Sequence, residues 1–228
     1  MPIRKCRLTS LLNDVRATIA FDQPKLSASL RDGQIYVDGY FRVLSGLSKI
    51  DAQGAMAEYQ IEIVFNPEYP NIEPKVYEVG NAIARDAEHH INPDGSCCLS
   101  VWEAWTAYSR STSIQEFFDG PLKNFFLGQY LKRTTGDWPF GEERHGKEGL
   151  LDAFADRLGC SRNEKKIRYL LRLLSKEWPR GHWNCPCGSG LIVRKCCKKE
   201  LSELSERLPQ KNAKRMLVRL RSYDRKIG

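Results

Sequence analysis

The sequence predicts an α+β fold: an N-terminal helix, a four-stranded antiparallel meander and further helices, then a helical, cysteine-bearing C-terminal appendage. Three observations carry this expectation. Apolar residues recur at helical spacing over residues 7–20 and then alternate as in strands from 26 to 65. Pro67, Pro70 and Pro74 follow the strands and forbid a helix there. The charge then reverses: residues 1–156 hold 16 Lys/Arg against 22 Asp/Glu, whereas residues 157–228 hold 20 against 6.

The elements follow in order. Leu8, Leu11, Leu12, Val15 and Ile19 make one apolar helix face. Ile35, Val37, Phe41 and Val43 alternate with more polar neighbours, as do Tyr59, Ile61, Ile63 and Phe65. Turn signals at Arg31-Asp32-Gly33 and Gln53-Gly54 separate the runs, and Lys75–Val79 supplies a short fourth strand. The proline segment is expected to be rigid and extended, bracing the loop that ends at Cys98. Ser113 can cap a helix carrying Ile114, Phe117, Phe118, Leu122, Phe125, Phe126 and Tyr130, broken or kinked at Pro121. Gly149–Leu158 follows. Ser161-Arg162-Asn163-Glu164 then reads as a capping box for a basic helix reaching Trp178. A last basic helix is expected over about Leu201–Arg225.

These elements suggest residues 1–150 as one domain, 151–181 as a basic helical connector and 182–228 as a cysteine motif with its basic helix. The chain is 228 residues, 41% hydrophobic and 28% charged, the composition of a soluble globular protein. No apolar run follows Met1-Pro2-Ile3-Arg4-Lys5-Cys6-Arg7, and no stretch approaches membrane-spanning length. A cytoplasmic location is therefore expected. Six of the eight cysteines cluster, as Cys97-Cys98 and as Cys185, Cys187, Cys196 and Cys197. Without a secretion signal, clustering favours metal binding and catalysis over a disulfide framework.

The first cluster ends a polar turn, Asn92-Pro93-Asp94-Gly95-Ser96-Cys97-Cys98. A thiol presented on a loop can serve as a nucleophile, and acyl transfer needs donors where the oxyanion develops. His90, Asn92 and the loop amides are the candidates. His89, His90, Cys97 and Cys98 are also metal-ligand types.

Over roughly residues 7–132 the sequence resembles the ubiquitin-conjugating enzymes. Their F-x-P-x-Y-P-x-x-x-P-x-V segment is matched by Phe65, Pro67, Tyr69, Pro70, Pro74 and Val76. Their G-x-x-C-L is matched by Gly95, Cys98 and Leu99, and their downstream tryptophan by Trp105, one place closer. The resemblance implies that Cys98 carries the acyl group and that Cys97 stands where the family has an apolar residue. The family's His-Pro-Asn triplet would put its asparagine at His90, with Asn92 two places on, a departure more like bacterial relatives. A histidine can still donate a hydrogen bond there.

The second cluster, Cys185-Pro186-Cys187-Gly188-Ser189-Gly190 through Cys196-Cys197, can wrap four thiolates round one structural Zn²⁺. From about Trp183 to Lys198 it resembles the SEC-C motif of many bacterial proteins. The basic helices around it read either as solvated faces or as a surface for an acidic protein or nucleic acid. Few aromatics interleave the basic residues after Tyr169, so base stacking is expected to be poor. Trp138 either fills a gap in the core or packs against the cysteine loop with His145 or Glu142. Trp102 and Trp105 read as core residues.

The resemblance implies a ubiquitin-like-protein conjugating enzyme, in a bacterial conjugation system serving antiviral defence. Cys98 would take the acyl group from an activating enzyme and give it to a target lysine. Glu103, Asp119 and His145 are candidates for the acid–base role at the incoming amine. The competing expectation is a catalytically silent scaffold whose zinc appendage recruits a protein, ribosomal or nucleic-acid partner.

Overall fold

A computed structural model describes residues 2–44, 55–109, 111–138, 146–176 and 181–227. The chain divides into two compact units, residues 1–100 with 110–142 and residues 101–109 with 143–228.

The first unit opens with α1 (Pro2–Asp22), which starts ahead of its apolar face at Leu8. Strands β1 (Leu26–Arg31), β2 (Gln34–Leu44), β3 (Ala55–Phe65) and β4 (Lys75–Glu78) form one antiparallel sheet in sequence order. Arg31 pairs with Gln34, so Asp32-Gly33 is a two-residue turn with φ of 48° and 72°. The turn signal at Gln53-Gly54 lies outside the described residues. Cross-strand pairs Ile35–Phe65, Val37–Ile63 and Phe41–Tyr59 put the predicted alternating residues on one buried face. Val15 and Ile19 of α1 are buried too.

The proline segment is not extended. Residues 67–72 form successive turns, with the Tyr69 amide donating to the Asn66 carbonyl at 2.9 Å. The Asn66 side chain accepts from the Glu68 amide at 2.9 Å, and that local bond competes with extended backbone. Tyr69 packs on Phe65 and Phe117, and its hydroxyl donates to the Ser113 carbonyl.

Ser113 does cap α3 (Ile114–Phe117), its hydroxyl accepting from the Glu116 amide at 3.2 Å. Pro121 neither breaks nor ends the helical run. It sits in a π-helical turn, Phe118–Leu122, which leads into α4 (Lys123–Thr135). The wider turn absorbs a residue with no N–H to give. Phe126 of α4 lies 5.4 Å from Phe41 and 4.9 Å from Tyr59, between ring centroids. Gly136 ends α4 with φ 88°.

The second unit is helical: α2 (Trp102–Tyr108), α5 (Gly146–Leu158), α6 (Glu164–Leu174), α7 (Lys198–Arg207) and α8 (Gln210–Ile227). Leu150, Phe154, Ile167, Leu171, Leu204 and Met216 are among its buried core. A domain boundary at 150 would cut α5. Trp102 is buried, and its ring lies 4.5 Å from that of Trp105. Several helix ends differ from the sequence expectation. Helix α5 starts at Gly146 rather than Gly149, and α6 stops at Leu174, short of Trp178, which lies outside the described residues. Asn163, not Ser161, caps α6, its side chain accepting from the Lys166 amide at 3.0 Å. The last helix is two, parted at Leu208-Pro209, because Pro209 has no amide to donate and disfavours helical backbone before it. No helix among the described residues is long and apolar enough to cross a membrane.

Candidate functional site

Cys98 stands at the neck of a small hairpin. Ile91 and Cys97 form an antiparallel bridge across it, and the Asn92 amide donates to the Ser96 carbonyl at 2.8 Å. The Gly95 amide donates to the Asn92 carbonyl, and the tight turn needs its φ of 80°. The hairpin is stitched to the sheet edge by strand pairing, with the Cys97 amide donating to the Val76 carbonyl at 2.7 Å. These ties come from β4, which follows the prolines.

Ser96, 1% exposed, is the hub of the hairpin tip, and the sequence reading missed it. Its hydroxyl donates to Asp94 Oδ1 at 2.6 Å and accepts from Asn92 Nδ2 at 3.1 Å. Lys75 Nζ reaches Asp94 Oδ2 at 3.0 Å. Asn92 therefore shapes the loop through Ser96. The Asp-x-Ser spacing was the available signal, since Asp commonly bonds the backbone two residues on.

The Ser96 hydroxyl, and after it the Lys75 ammonium, hold the Asp94 carboxyl down to about 2. A depressed carboxylate stabilises the fold above its ordinary value of 3.8, and that contribution is lost as pH falls towards about 2. In an NMR titration the Ser96 amide should shift with a midpoint near 2. A midpoint at the ordinary 3.8 would show that the tip does not hold Asp94.

The two adjacent thiols point into different environments. Cys97 is buried, and burial pushes its thiol up to about 12. Cys98 is exposed, and its amide donates to the His90 carbonyl at 2.7 Å. Histidine 90 ends a 3₁₀ turn, Ala87–His89, in left-handed backbone with φ 55°. Asn, Asp and His adopt that region more readily than most residues.

Helix α4 holds this turn from outside. Gln129 Nε2 donates to the His89 carbonyl at 2.6 Å, and Lys132 Nζ to the Glu88 carbonyl at 2.9 Å. Trp138 meets the His90 ring edge-on, with centroids 4.6 Å apart. Lys132 lies over the same indole, and a Cβ on Gly128 would stand 3.0 Å from it. The half-buried Trp138 thus packs against the cysteine loop. Glu142 and His145 lie outside the described residues. Asp119 accepts from Gln115 at 2.9 Å, and Glu103 belongs to the second unit.

Among the described residues, His89, His90, Cys97 and Cys98 do not form a metal-ligand group; the four C-terminal cysteines do. Their sulfurs lie within 4.8 Å of one another. Cys187 Sγ is 3.4 Å from both Cys185 and Cys196, and Cys196 is 3.6 Å from Cys197. A knuckle of backbone presents the first pair, with the Cys185 amide donating to the Leu191 carbonyl at 2.8 Å. Gly188 and Gly190, with φ 85° and 75°, turn the chain between the pairs. Cys197 sits at the N-cap of α7. Four thiols so placed could hold one metal ion.

No family model, no curated protein and no solved structure matches the chain.

Proposed function

We propose that the chain is a ubiquitin-like-protein conjugating enzyme with Cys98 as acyl carrier. The observation that supports it most is the division of labour between adjacent cysteines. Cys97 is locked into the core as a thiol, while Cys98 stands exposed on a braced hairpin.

The thiolate of Cys98 attacks the thioester carbonyl of a ubiquitin-like protein on its activating enzyme. A new C–S bond forms to Cys98, the old one breaks, and the departing thiolate takes up a proton. A target amine then attacks, the C–S bond to Cys98 breaks as the amide forms, and the proton the amine loses ends on the departing Cys98 sulfur. Both steps pass through an oxyanion that loop donors would stabilise. His90 sets the backbone that accepts the Cys98 amide, Trp138 sets the His90 ring, and Asn92 sets the tip.

Mixing the chain with an activating enzyme, ATP and a ubiquitin-like protein should give an adduct that added thiols cleave by thioester exchange. Cys98→Ser should give a thiol-resistant ester or none, and Cys97→Ala should keep the adduct. A normal thioester yield from Cys98→Ala would sink the assignment.

The four-cysteine centre is proposed to hold one structural Zn²⁺. Zn–S bonds of about 2.3 Å in a tetrahedron put sulfurs about 3.8 Å apart. The sulfur spacings of 3.4 and 3.6 Å lie close to that edge. With thiolates at all four positions, no place remains for a reactive water.

A further inference from the structure

Sequence spacing leaves Tyr169 without an aromatic neighbour among the basic residues, yet folding brings one. Tyr169, Arg172, Leu173 and Lys176 recur at helical spacing and face Trp183 across a cleft of about 240 Å³. The cleft lies wholly within the second unit. Both aromatic walls are fixed. The Tyr169 hydroxyl donates to the Asn184 carbonyl at 2.7 Å. The Trp183 carbonyl accepts from the Val193 amide at 2.8 Å, and its half-buried ring packs on the helical core. Lys176 holds its ammonium 5.1 Å from the indole centroid. Leu173 is buried at the base, and Arg172 is exposed at the rim.

We propose that this cleft binds single-stranded nucleic acid, with a base on Trp183 and its phosphate at Arg172 and Lys176. A flat apolar face beside two cations suits a flat ring joined to an anion. Lys176 covers the indole. A base arriving there displaces a flexible side chain, and the freed ammonium meets the phosphate. The surroundings favour the same partner, since residues 157–228 carry 20 Lys/Arg against 6 Asp/Glu. An acidic peptide would meet the cations but gain nothing from the indole face. The inference is independent of any chemistry at Cys98.

Fluorescence anisotropy of the full chain with a labelled, mixed-sequence single-stranded oligonucleotide tests it. Trp183→Leu, which keeps apolar bulk against the core, should weaken binding about tenfold or more, and Trp183→Phe should restore most of it. Arg172→Gln, on an exposed rim, should lower the slope of log K against log salt by about 0.7. Polyglutamate should compete poorly. Unchanged metal content and helical circular dichroism in the Trp183 variants show that loss of binding is not loss of fold. If they unfold, the Arg172→Gln slope decides. Equal competition by polyglutamate, full affinity in a folded Trp183→Leu, an unchanged slope in Arg172→Gln, or no complex at low salt would overturn the proposal.

Discussion

Removing the proposed Zn²⁺ by chelation, or replacing Cys185 with serine, will open the cysteine knuckle and strip the first turn from α7. Without a metal the knuckle is held by short-range bonds. Besides the Cys185 and Val193 amides, the Arg194 amide donates to the Gly181 carbonyl at 2.9 Å, the Lys195 amide to the Ile192 carbonyl at 3.0 Å and the Cys196 amide to the Val193 carbonyl at 3.1 Å. The Leu201 amide donates to the Cys197 carbonyl at 3.1 Å, so α7 begins on one of the four clustered cysteines. Leu201 and Leu204 carry α7 into the same core that takes Val193 from the knuckle. A structural Zn²⁺ bound by thiolates contributes on the order of 10 kcal/mol of apparent folding energy, as much as a whole small domain retains. Metal analysis should find about one Zn per chain. Hydrogen exchange should show Cys185, Val193 and Arg194 amides unprotected without metal, while the Val37 amide of the sheet stays protected. A freshly purified, reduced protein holding no metal would refute this, as would exchange that ignores chelation.

Gly39→Ala should destabilise the first unit by about 2–5 kcal/mol. Gly39 sits mid-strand in β2, paired with Leu26 on one side and Ile61 on the other. Its φ is 137°, where side chains rarely go, and an added Cβ would stand 2.2 Å from the Lys25 carbonyl oxygen. That oxygen is backbone and also accepts from the Tyr40 amide, so relief requires β1 to shift away from β2. Gly33→Ala is the natural control. Its φ is 72°, but nothing lies within 4 Å of the new Cβ, so only backbone strain of about 1–2 kcal/mol applies. Urea unfolding followed by circular dichroism should rank the two, and equal midpoints would contradict the packing argument.

The sheet was legible because its signal is local. Ile35, Val37, Ile61 and Ile63 alternate, and a strand buries alternate residues whatever its partners. Ser113 and the cysteine spacing were legible for the same reason. Competition among neighbours was harder to read. Ser161 and Asn163 both offer capping oxygens, and the helix start chose the nearer one. Pro121 and Pro209 look alike in sequence, yet one is absorbed by a wider turn and the other divides two helices. Contacts made only by folding were harder still: the sequence leaves Trp138 on the cysteine loop as one of two open readings, does not foresee His90 as its partner, and does not show Tyr169 opposite Trp183 at all. Trp138 lies 48 residues beyond His90, and Trp183 lies 14 beyond Tyr169 outside its helix, so no spacing rule pairs them.

The seven-residue helix α2 follows the thiol hairpin closely in the chain, yet it groups with residues 143–228. Asn212 of α8 donates to the Thr106 carbonyl at 3.3 Å, and Glu103 lies 3.9 Å from Arg219. During synthesis α2 therefore leaves the ribosome long before its partners exist. Trp102 must wait, uncovered, while the strands ahead of it are already able to pair. A chain cut after residue 142 would keep that waiting helix permanently, as an apolar stub beside its thiol. Such a fragment should precipitate or draw chaperones where the full chain does not, and the two units could not be parted in a gene by a single cut.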